Sequence, residues 1–336
     1  MLLNEHALNN FKIKIAGYFF DHTEAGNLVG KSDYKLPEIR GRALVKTGNV
    51  NMMQIYTMVK FDHEIEYNQN LKELISVITE KYPDRRAPRI PVLPEQFPYE
   101  MLSDYADGKE EFDLAVGLEV ESVTRAGLTR MQSPFVIIGE TGKGKTNMLK
   151  VLLSQMIGNA DAYVFDSSTM GLYPFQDKEG IHYVQDEDEM DDFIADMKQL
   201  CGERKKRCLQ VLAENTALTP QQYYYGEEPV YIVIDDIDKF VADTGAYLEE
   251  MHGIMTEAAE CGVGILIAVH SAKLKTFDAL SKWVKAASNG LVLSPQGTLN
   301  IFPVRSQREY PQMGQGLLFH NGEYLTLQLP ECQTVT

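Results

Sequence analysis

Three short stretches of the sequence hold residue types that could do chemistry together. Gly139-Glu140-Thr141-Gly142-Lys143-Gly144-Lys145-Thr146 fits the spacing G-x-x-x-x-G-K-T, and Asn147 follows it. Glycines in such a loop let successive backbone N–H groups turn toward one point, and a helix opening at its end adds partial positive charge. That is a cradle for phosphates. Residues 139–147 would hold a nucleotide, Lys145 would reach its outer phosphates, and Thr146 would offer a hydroxyl to Mg2+. The second stretch, Ile232-Val233-Ile234-Asp235-Asp236, is an apolar run ending in two acids. Asp235 suits the Mg2+ shell, acting through water. Asp236 stands where a carboxylate can polarise an attacking water, although a solvated turn residue reads equally well there. The third is His270-Ser271, which follows the apolar run Gly264–Val269. His270 could sense a terminal phosphate through its ring, or be an ordinary histidine at the edge of a core.

These residues need a scaffold that brings them to one place. Phe135–Ile138, Ala162–Asp166, Val230–Asp235 and Gly264–Val269 are short apolar runs and read as buried strands. Between them, helices are expected over Lys145–Ile157, Met190–Leu212, Tyr247–Cys261 and Phe277–Ala286, each with apolar residues recurring at three and four. Strands apolar on both faces and separated by helices imply an α/β fold, a mostly parallel sheet flanked by helices. From Leu291 onward the pattern turns to short strands with Asn-Gly and Gly-Gln-Gly turns, a small antiparallel C-terminal tail. The run Gln185–Asp192 has six carboxylates in seven positions from Asp186. It lacks the glycine and terminal glutamate spacing of a calcium loop, and its expected role is to cap and open the next helix. Glu203-Arg204-Lys205-Lys206-Arg207, within that helix, reads as a solvated face or a subunit contact.

Lys81–Pro98 has five prolines in eighteen residues and is expected to be an extended linker. Before it, Asn70–Lys81 places Leu71, Leu74, Ile75 and Ile78 on one helical face. The N-terminal stretches NNFKIKIA and GRALVKTGNVNMMQIYTMV resemble SNGLVLS and GQGLLFHNGEYLTLQLP near the C-terminus, with Gln54 and Gln328 in matching places. The expected organisation is therefore residues 1–80 as the tail of a preceding module, 81–98 as linker, and 99–336 as the nucleotide-binding domain.

Composition narrows the function. Of 336 residues, 32 are Lys or Arg and 48 are Asp or Glu, a net charge of −16, which argues against a duplex-DNA footprint. The four cysteines form no C-x-x-C pair, so reduced, mostly buried thiols are expected. No apolar run is long enough to span a membrane, and the first residues lack the pattern of a secretion signal.

The GETGKGKT loop, the IVIDDID strand and the order of elements between them resemble the FtsK/SpoIIIE branch of RecA-like P-loop motor ATPases. Ala115–Glu119 before the loop, Tyr163–Asp166 with Gly171-Leu172, Glu203-Arg204, and the GRALVK and GQGLLF strands extend the match. Within that branch the sequence most resembles the C-terminal ATPase domain of the EssC/EccC proteins of type VII (ESX) secretion. The resemblance implies ATP and Mg2+ as cofactors and neighbouring ATPase modules of one longer polypeptide as partners. It also implies secreted WXG-type protein substrates, a hexameric ring in the full motor, and a place at the cytoplasmic face of the membrane as part of a membrane-anchored protein. No nucleic acid is expected. DNA-translocating members usually carry Ser at Lys143, Glu at Asp236 and Thr-Gln at His270-Ser271, and have a DNA-reading appendage with no counterpart after Pro330. These departures point to weak or absent hydrolysis. A DNA translocase and a non-enzymatic docking module with a degenerate loop remain as alternatives. Arg125, Arg130, Arg204 and Arg305 are candidates for an arginine acting on a neighbour's nucleotide.

Overall fold

The computed structural model describes residues 10–19, 22–83, 90–215, 217–272, 274, 278–297, 299–304 and 306–332. The chain divides into two compact units, residues 1–89 and 90–336. Phe277 and Arg305, and the linker positions 84–89, lie outside the described residues.

The first unit contains β1 (Lys14–Ala16), α1 (His22–Val29), β2 (Arg42–Lys46), β3 (Val50–Gln54) and α2 (Glu64–Lys81). Its strands form an antiparallel sheet in the order β1-β2-β3. Ala16, Ala25, Val29, Leu36 and Leu44 make a small core between α1 and one sheet face. Helix α2 starts six residues before the stretch expected from its apolar spacing. The Glu66 side chain accepts the His63 N–H (3.4 Å) and draws that earlier turn into the helix.

The second unit runs through β4 (Leu114–Glu119), β5 (Arg125–Leu128), β6 (Phe135–Gly139), α3 (Lys145–Met156), β7 (Asp161–Phe165), β8 (Ile181–Tyr183), α4 (Glu187–Glu214), α5 (Pro220–Tyr225), β9 (Val230–Ile234), α6 (Ile237–Thr244), α7 (Leu248–Glu260), β10 (Gly264–His270), α8 (Ala279–Lys285), β11 (Asn289–Val292), β12 (Gln315–His320) and β13 (Glu323–Gln328). Its ten strands form one sheet in the order β5-β4-β13-β12-β11-β6-β10-β9-β7-β8. From β11 to β8 all neighbours are parallel. Strands β5, β4, β13, β12 and β11 pair antiparallel. The α/β class expected from the sequence is present, with more antiparallel structure than anticipated. The C-terminal strands are continuous with the main sheet, and β4 and β5 extend it further.

Strands β6 and β9 are buried along their whole length, which is why they read as unbroken apolar runs, and β11 is buried throughout as well. Phe135 and Ile137 join a cluster containing α3, whereas Val136 and Ile138 join one containing α4, α6, α7 and α8. Burying both faces clamps β6 in place and holds the loop that leaves its end.

Helix α4 begins as its acidic start indicated. Asp186 Oδ1 accepts the Glu189 N–H (2.9 Å), and Glu189 Oε2 accepts the Asp186 N–H (3.3 Å). Arg204 corrects the reading of the charge run on this helix. It is 1% exposed, sits beneath the polypeptide, and donates to the Cys261 carbonyl (3.0 Å) and the Glu228 carbonyl.

Candidate functional site

The three stretches singled out in the sequence meet at the carboxyl ends of β6, β9 and β10. Parallel pairing sets this alignment: His270 lies opposite Gly139, and Ile267 lies opposite both Val136 and Ile234. Crevices outside the carboxyl ends of strands are where α/β sheets bind ligands.

The loop after β6 has the backbone that its glycines require. Gly142 has φ 76° and Gly144 φ 97°, conformations that strain any residue with a Cβ. Gly144 is also the residue before α3, and no side chain caps that helix. The first-turn N–H groups of Lys145, Thr146 and Asn147 thus open toward the loop with the positive end of the helix behind them. Lys145 Nζ donates to the carbonyls of Gly139 (2.9 Å) and Glu140 (3.0 Å), holding its ammonium over the loop. Thr141 and Lys143 complete it. The Glu140 N–H is already used, donating to Ser294 Oγ (2.8 Å).

Thr146 Oγ1 donates to Asp235 Oδ2 at 2.8 Å, joining the phosphate loop to the end of β9. Asp235 is 4% exposed. Burial raises its carboxyl pKa; the Thr146 hydrogen bond and Lys145 oppose this, while Asp166 and Asp236 add to it. Asp236 has φ 69° without being glycine, and its Oδ1 accepts the Asp238 N–H (3.2 Å) at the start of α6. Its side chain serves as a helix cap in a strained backbone position, the kind of strain that gathers at functional sites. His270 is half-buried, and its Nδ1 accepts the Ala272 N–H (3.2 Å), which leaves Nε2 to carry the ring proton.

Asn147 faces elsewhere. Its Nδ2 donates to the Pro330 carbonyl (2.9 Å) and its Oδ1 accepts the Cys332 N–H (2.9 Å), so only its backbone N–H is directed to the loop. Of the arginines, Arg130 donates to the carbonyls of Tyr224 (3.3 Å), Tyr225 and Glu227 (2.7 Å), and Arg204 is buried as described. Neither can serve a neighbouring subunit. Arg125 is paired with Asp107 at 2.7 Å.

Two supports were not read as part of the site. Ser294, buried beyond β11, props the loop through Glu140; nothing in a lone serine 154 residues away marks it. The second is the loop after β7. Asp166 accepts the N–H groups of Ser167 (2.7 Å) and Leu172 (2.8 Å) and the hydroxyl of Tyr183 (2.6 Å). This holds Gly171 against Thr146, where a Cβ would lie 2.6 Å from the threonine methyl. Cys201, Cys208 and Cys261 are buried free thiols and Cys332 is half-buried. Among the described residues no cluster of His, Cys, Asp and Glu could hold a metal by itself, and no helix is long and apolar enough to cross a membrane.

A glycine loop leaving one strand of a mostly parallel sheet, with the acid that follows β9, two strands away, bonded to the loop threonine, defines the fold class: the α/β fold of P-loop domains. No model of a protein family matches the chain. The ESX secretion system protein EccC of Geobacillus thermodenitrificans (strain NG80-2) is 24% identical over 335 residues, 97% of this chain and 22% of the relative. Among solved structures, EssC (ATPases 2 and 3) from Geobacillus thermodenitrificans superposes with a TM-score of 0.70 at 23% identity, over 98% of this chain and 63% of that one. Thermomonospora curvata EccC (ATPases 2 and 3), in complex with a signal sequence peptide, superposes with a TM-score of 0.54 at 18% identity, over 89% of this chain and 54% of that one. The resemblance to EssC and EccC thus extends over nearly the whole chain, which spans 22% of the length of the curated relative.

Proposed function

We propose that the chain is a nucleotide-binding motor or coupling module of a type VII protein-secretion ATPase, with weak intrinsic hydrolysis. The observation that carries this reading is the 2.8 Å contact between Thr146 and Asp235 at the mouth of a glycine-turned, uncapped helix start. The donor set fits Mg2+: a buried carboxylate and a hydroxyl, both hard oxygen ligands, beside a loop that attracts phosphate. Thr146 and Asp235 would hold the ion, which would neutralise charge on the outer phosphates of ATP. Gly139, Gly142, Gly144 and the backbone of residues 141–147 would cradle those phosphates, with Glu140 shaping the loop through Ser294 and Lys145 moving from the loop carbonyls onto the phosphates. A cleft of about 930 Å³ beside Gly142–Gly144, walled by Pro295, Pro311 and Pro330, is large enough for a nucleoside.

Weak turnover rests on Asp236. Its carboxylate is short and spent on capping α6, so it is poorly placed to polarise water without rearrangement. His270, donating from Nε2, is the proposed reporter of the terminal phosphate. The likeness to EccC, a secretion-system protein with ATPases 2 and 3 solved with a signal sequence peptide, supports a secreted protein as substrate and neighbouring ATPase modules as partners; WXG-type substrates and a hexameric ring at the cytoplasmic face of the membrane are proposed on the sequence resemblance alone. We further propose residues 1–80 as the tail of a preceding ATPase module, 81–98 as linker and 99–336 as the ATPase domain, a reading supported by the three strands of the first unit, which pair as β11, β12 and β13 do.

Titration with a fluorescent ATP analogue and Mg2+ tests the central claim. Wild type is expected to bind, with affinity lost on Lys145→Ala and Mg2+ dependence lost on Thr146→Ala. Wild type that binds nothing would reduce the loop to a relic and favour a docking module. DNA-stimulated, salt-sensitive hydrolysis would favour a translocase.

A further inference from the structure

Asn147 is the first residue after the loop threonine, yet both ends of its carboxamide are tied to the polypeptide leaving β13. Nδ2 donates to the Pro330 carbonyl and Oδ1 accepts the Cys332 N–H, both at 2.9 Å. That exit segment is bonded in turn to the segment entering the unit. Glu331 N–H donates to the Phe97 carbonyl (2.8 Å), Tyr99 N–H donates to the Glu331 carbonyl (3.0 Å), and Gln328 Nε2 donates to the Pro94 carbonyl (2.6 Å). Residues of both segments, Glu95–Pro98 and Gln328–Glu331, line the 930 Å³ cleft together with Gly142, Lys143, Gly144 and Asn147. One side chain therefore joins the phosphate loop, the cleft and both chain ends of the module.

We propose that Asn147 is a positioning residue that couples nucleotide occupancy to residues 95–99 and 328–332, so that a nucleotide in the cleft tightens the clasp between the entering and leaving segments. A ligand spanning loop and cleft touches the loop residues and both segments, since all of them line the cleft. It fixes the first turn of α3, and Asn147 conveys that order to Pro330 and Cys332 through two bonds rather than one. In a protein built of successive modules, those two segments are where the state of one nucleotide site would be felt by the next. The coupling rests on the nucleotide reading above, and its test separates the two.

Cys332 is a native probe, since the other three cysteines are buried. Its alkylation by a maleimide, located by mass spectrometry, is followed in the full chain with and without Mg2+ and a non-hydrolysable ATP analogue. Each variant is held at saturation fixed by its own titration. Nucleotide is expected to slow wild-type Cys332 by about fivefold or more, as local opening is suppressed. Asn147→Ala is expected to react faster and to show the same rate with and without nucleotide. Loss of that ratio, rather than a raised rate alone, separates coupling from mere loosening. Hydrogen exchange of the wild-type Glu331 and Cys332 amides provides the second readout should the variant not fold, and added protection on binding is expected. Binding by titration with no change at Cys332 or these amides overturns the coupling, as does full protection in Asn147→Ala. Absence of binding in the titration defeats the nucleotide reading, and the coupling with it.

Discussion

In β1-β2-β3 and in β11-β12-β13 the middle strand starts after a glycine at positive φ, Gly41 at 76° and Gly314 at 80°. In each, the carbonyl of that glycine accepts the N–H of the residue following the last strand, from Ile55 (2.7 Å) and from Leu329 (2.8 Å). Three residues after the glycines, Leu44 faces Ala16 and Leu317 faces Val292; Arg42 and Gln315 face Gln54 and Gln328. The register is the same, but the surroundings are not. Leu291 is 0% exposed, packed with α3 and flanked by β6, whereas its counterpart Ile15 is 48% exposed. Turn chemistry and cross-strand pairing are thus enough to close the meander. What buries its outer strand is the P-loop strand and helix beside it, and only the second unit supplies them among the described residues.

The largest expected effect tests that difference directly. Leu291→Ala should lower the unfolding free energy of its unit by about 3 kcal/mol, because it empties a filled site. Ile15→Ala should cost less than about 0.5 kcal/mol, as for an exposed side chain. Urea denaturation of each variant measures both, and equal costs would mean that Ile15 is covered after all. Next, Gly290→Ala should cost about 2 kcal/mol, since a Cβ there overlaps the Val136 carbonyl of β6 and the Phe302 ring. Lys14, its counterpart, has no strand on that side among the described residues, and Lys14→Ala should be near neutral in the same assay.

The comparison also shows what the sequence could convey. The repeat was legible because Gly41 and Gly314 do the same local job at a fixed offset from the strands they open; Gln54 and Gln328 hold matching places, although Gln328 reaches the distant Pro94 carbonyl. The loop after β6 was legible for the same reason: its glycines at positive φ and the lysine that folds back onto its carbonyls lie within eight residues. Ser294, Arg130 and Arg204 act across long sequence separations, so their roles depended on the fold; Arg204 read as surface charge because its neighbours Glu203 and Arg207 are. Helix α6 went unread because Asp235-Asp236 looked like the end of a strand and a turn, when Asp236 is the cap of the next helix. Asn147 was read with the loop on proximity, but its side chain belongs to the C-terminal segment.

Smaller effects should fall on both meanders, where a glycine at positive φ opens the middle strand of each. Gly314→Ala should cost about 1.5 kcal/mol for a Cβ at positive φ, there being nothing near it to clash with. Gly41→Ala should cost somewhat more, since its Cβ would also press on Gln54 Nε2 (2.5 Å) and the Ile55 carbonyl (2.6 Å). Thermal melts of the two variants should show both losses; a neutral Gly41→Ala would break the equivalence of the turns.

The smallest effect concerns what only the second unit has. Asp235 is the one carboxylate among the buried side chains of the described residues. Burial holds its pKa above the ordinary carboxylate range. Between the unfolded and the folded value, the folded chain keeps a proton that the unfolded chain has released. Stability therefore falls as pH rises through that window, and the full penalty applies above it. Asn carries no charge to bury and still accepts from Thr146. Asp235→Asn should accordingly be more stable than wild type at pH 7 by about 1 kcal/mol without nucleotide, the gap closing as pH falls below the ordinary carboxylate value. With Mg2+ and an ATP analogue the order should reverse, because the wild type gains binding energy that the variant has lost. Melting temperatures across pH, with and without ligand, measure both signs. A carboxylate kept at a cost without ligand and rewarded with it is what a metal-holding residue requires, whereas Asp235→Asn less stable than wild type in both conditions would make Asp235 a structural partner of Thr146 and nothing more.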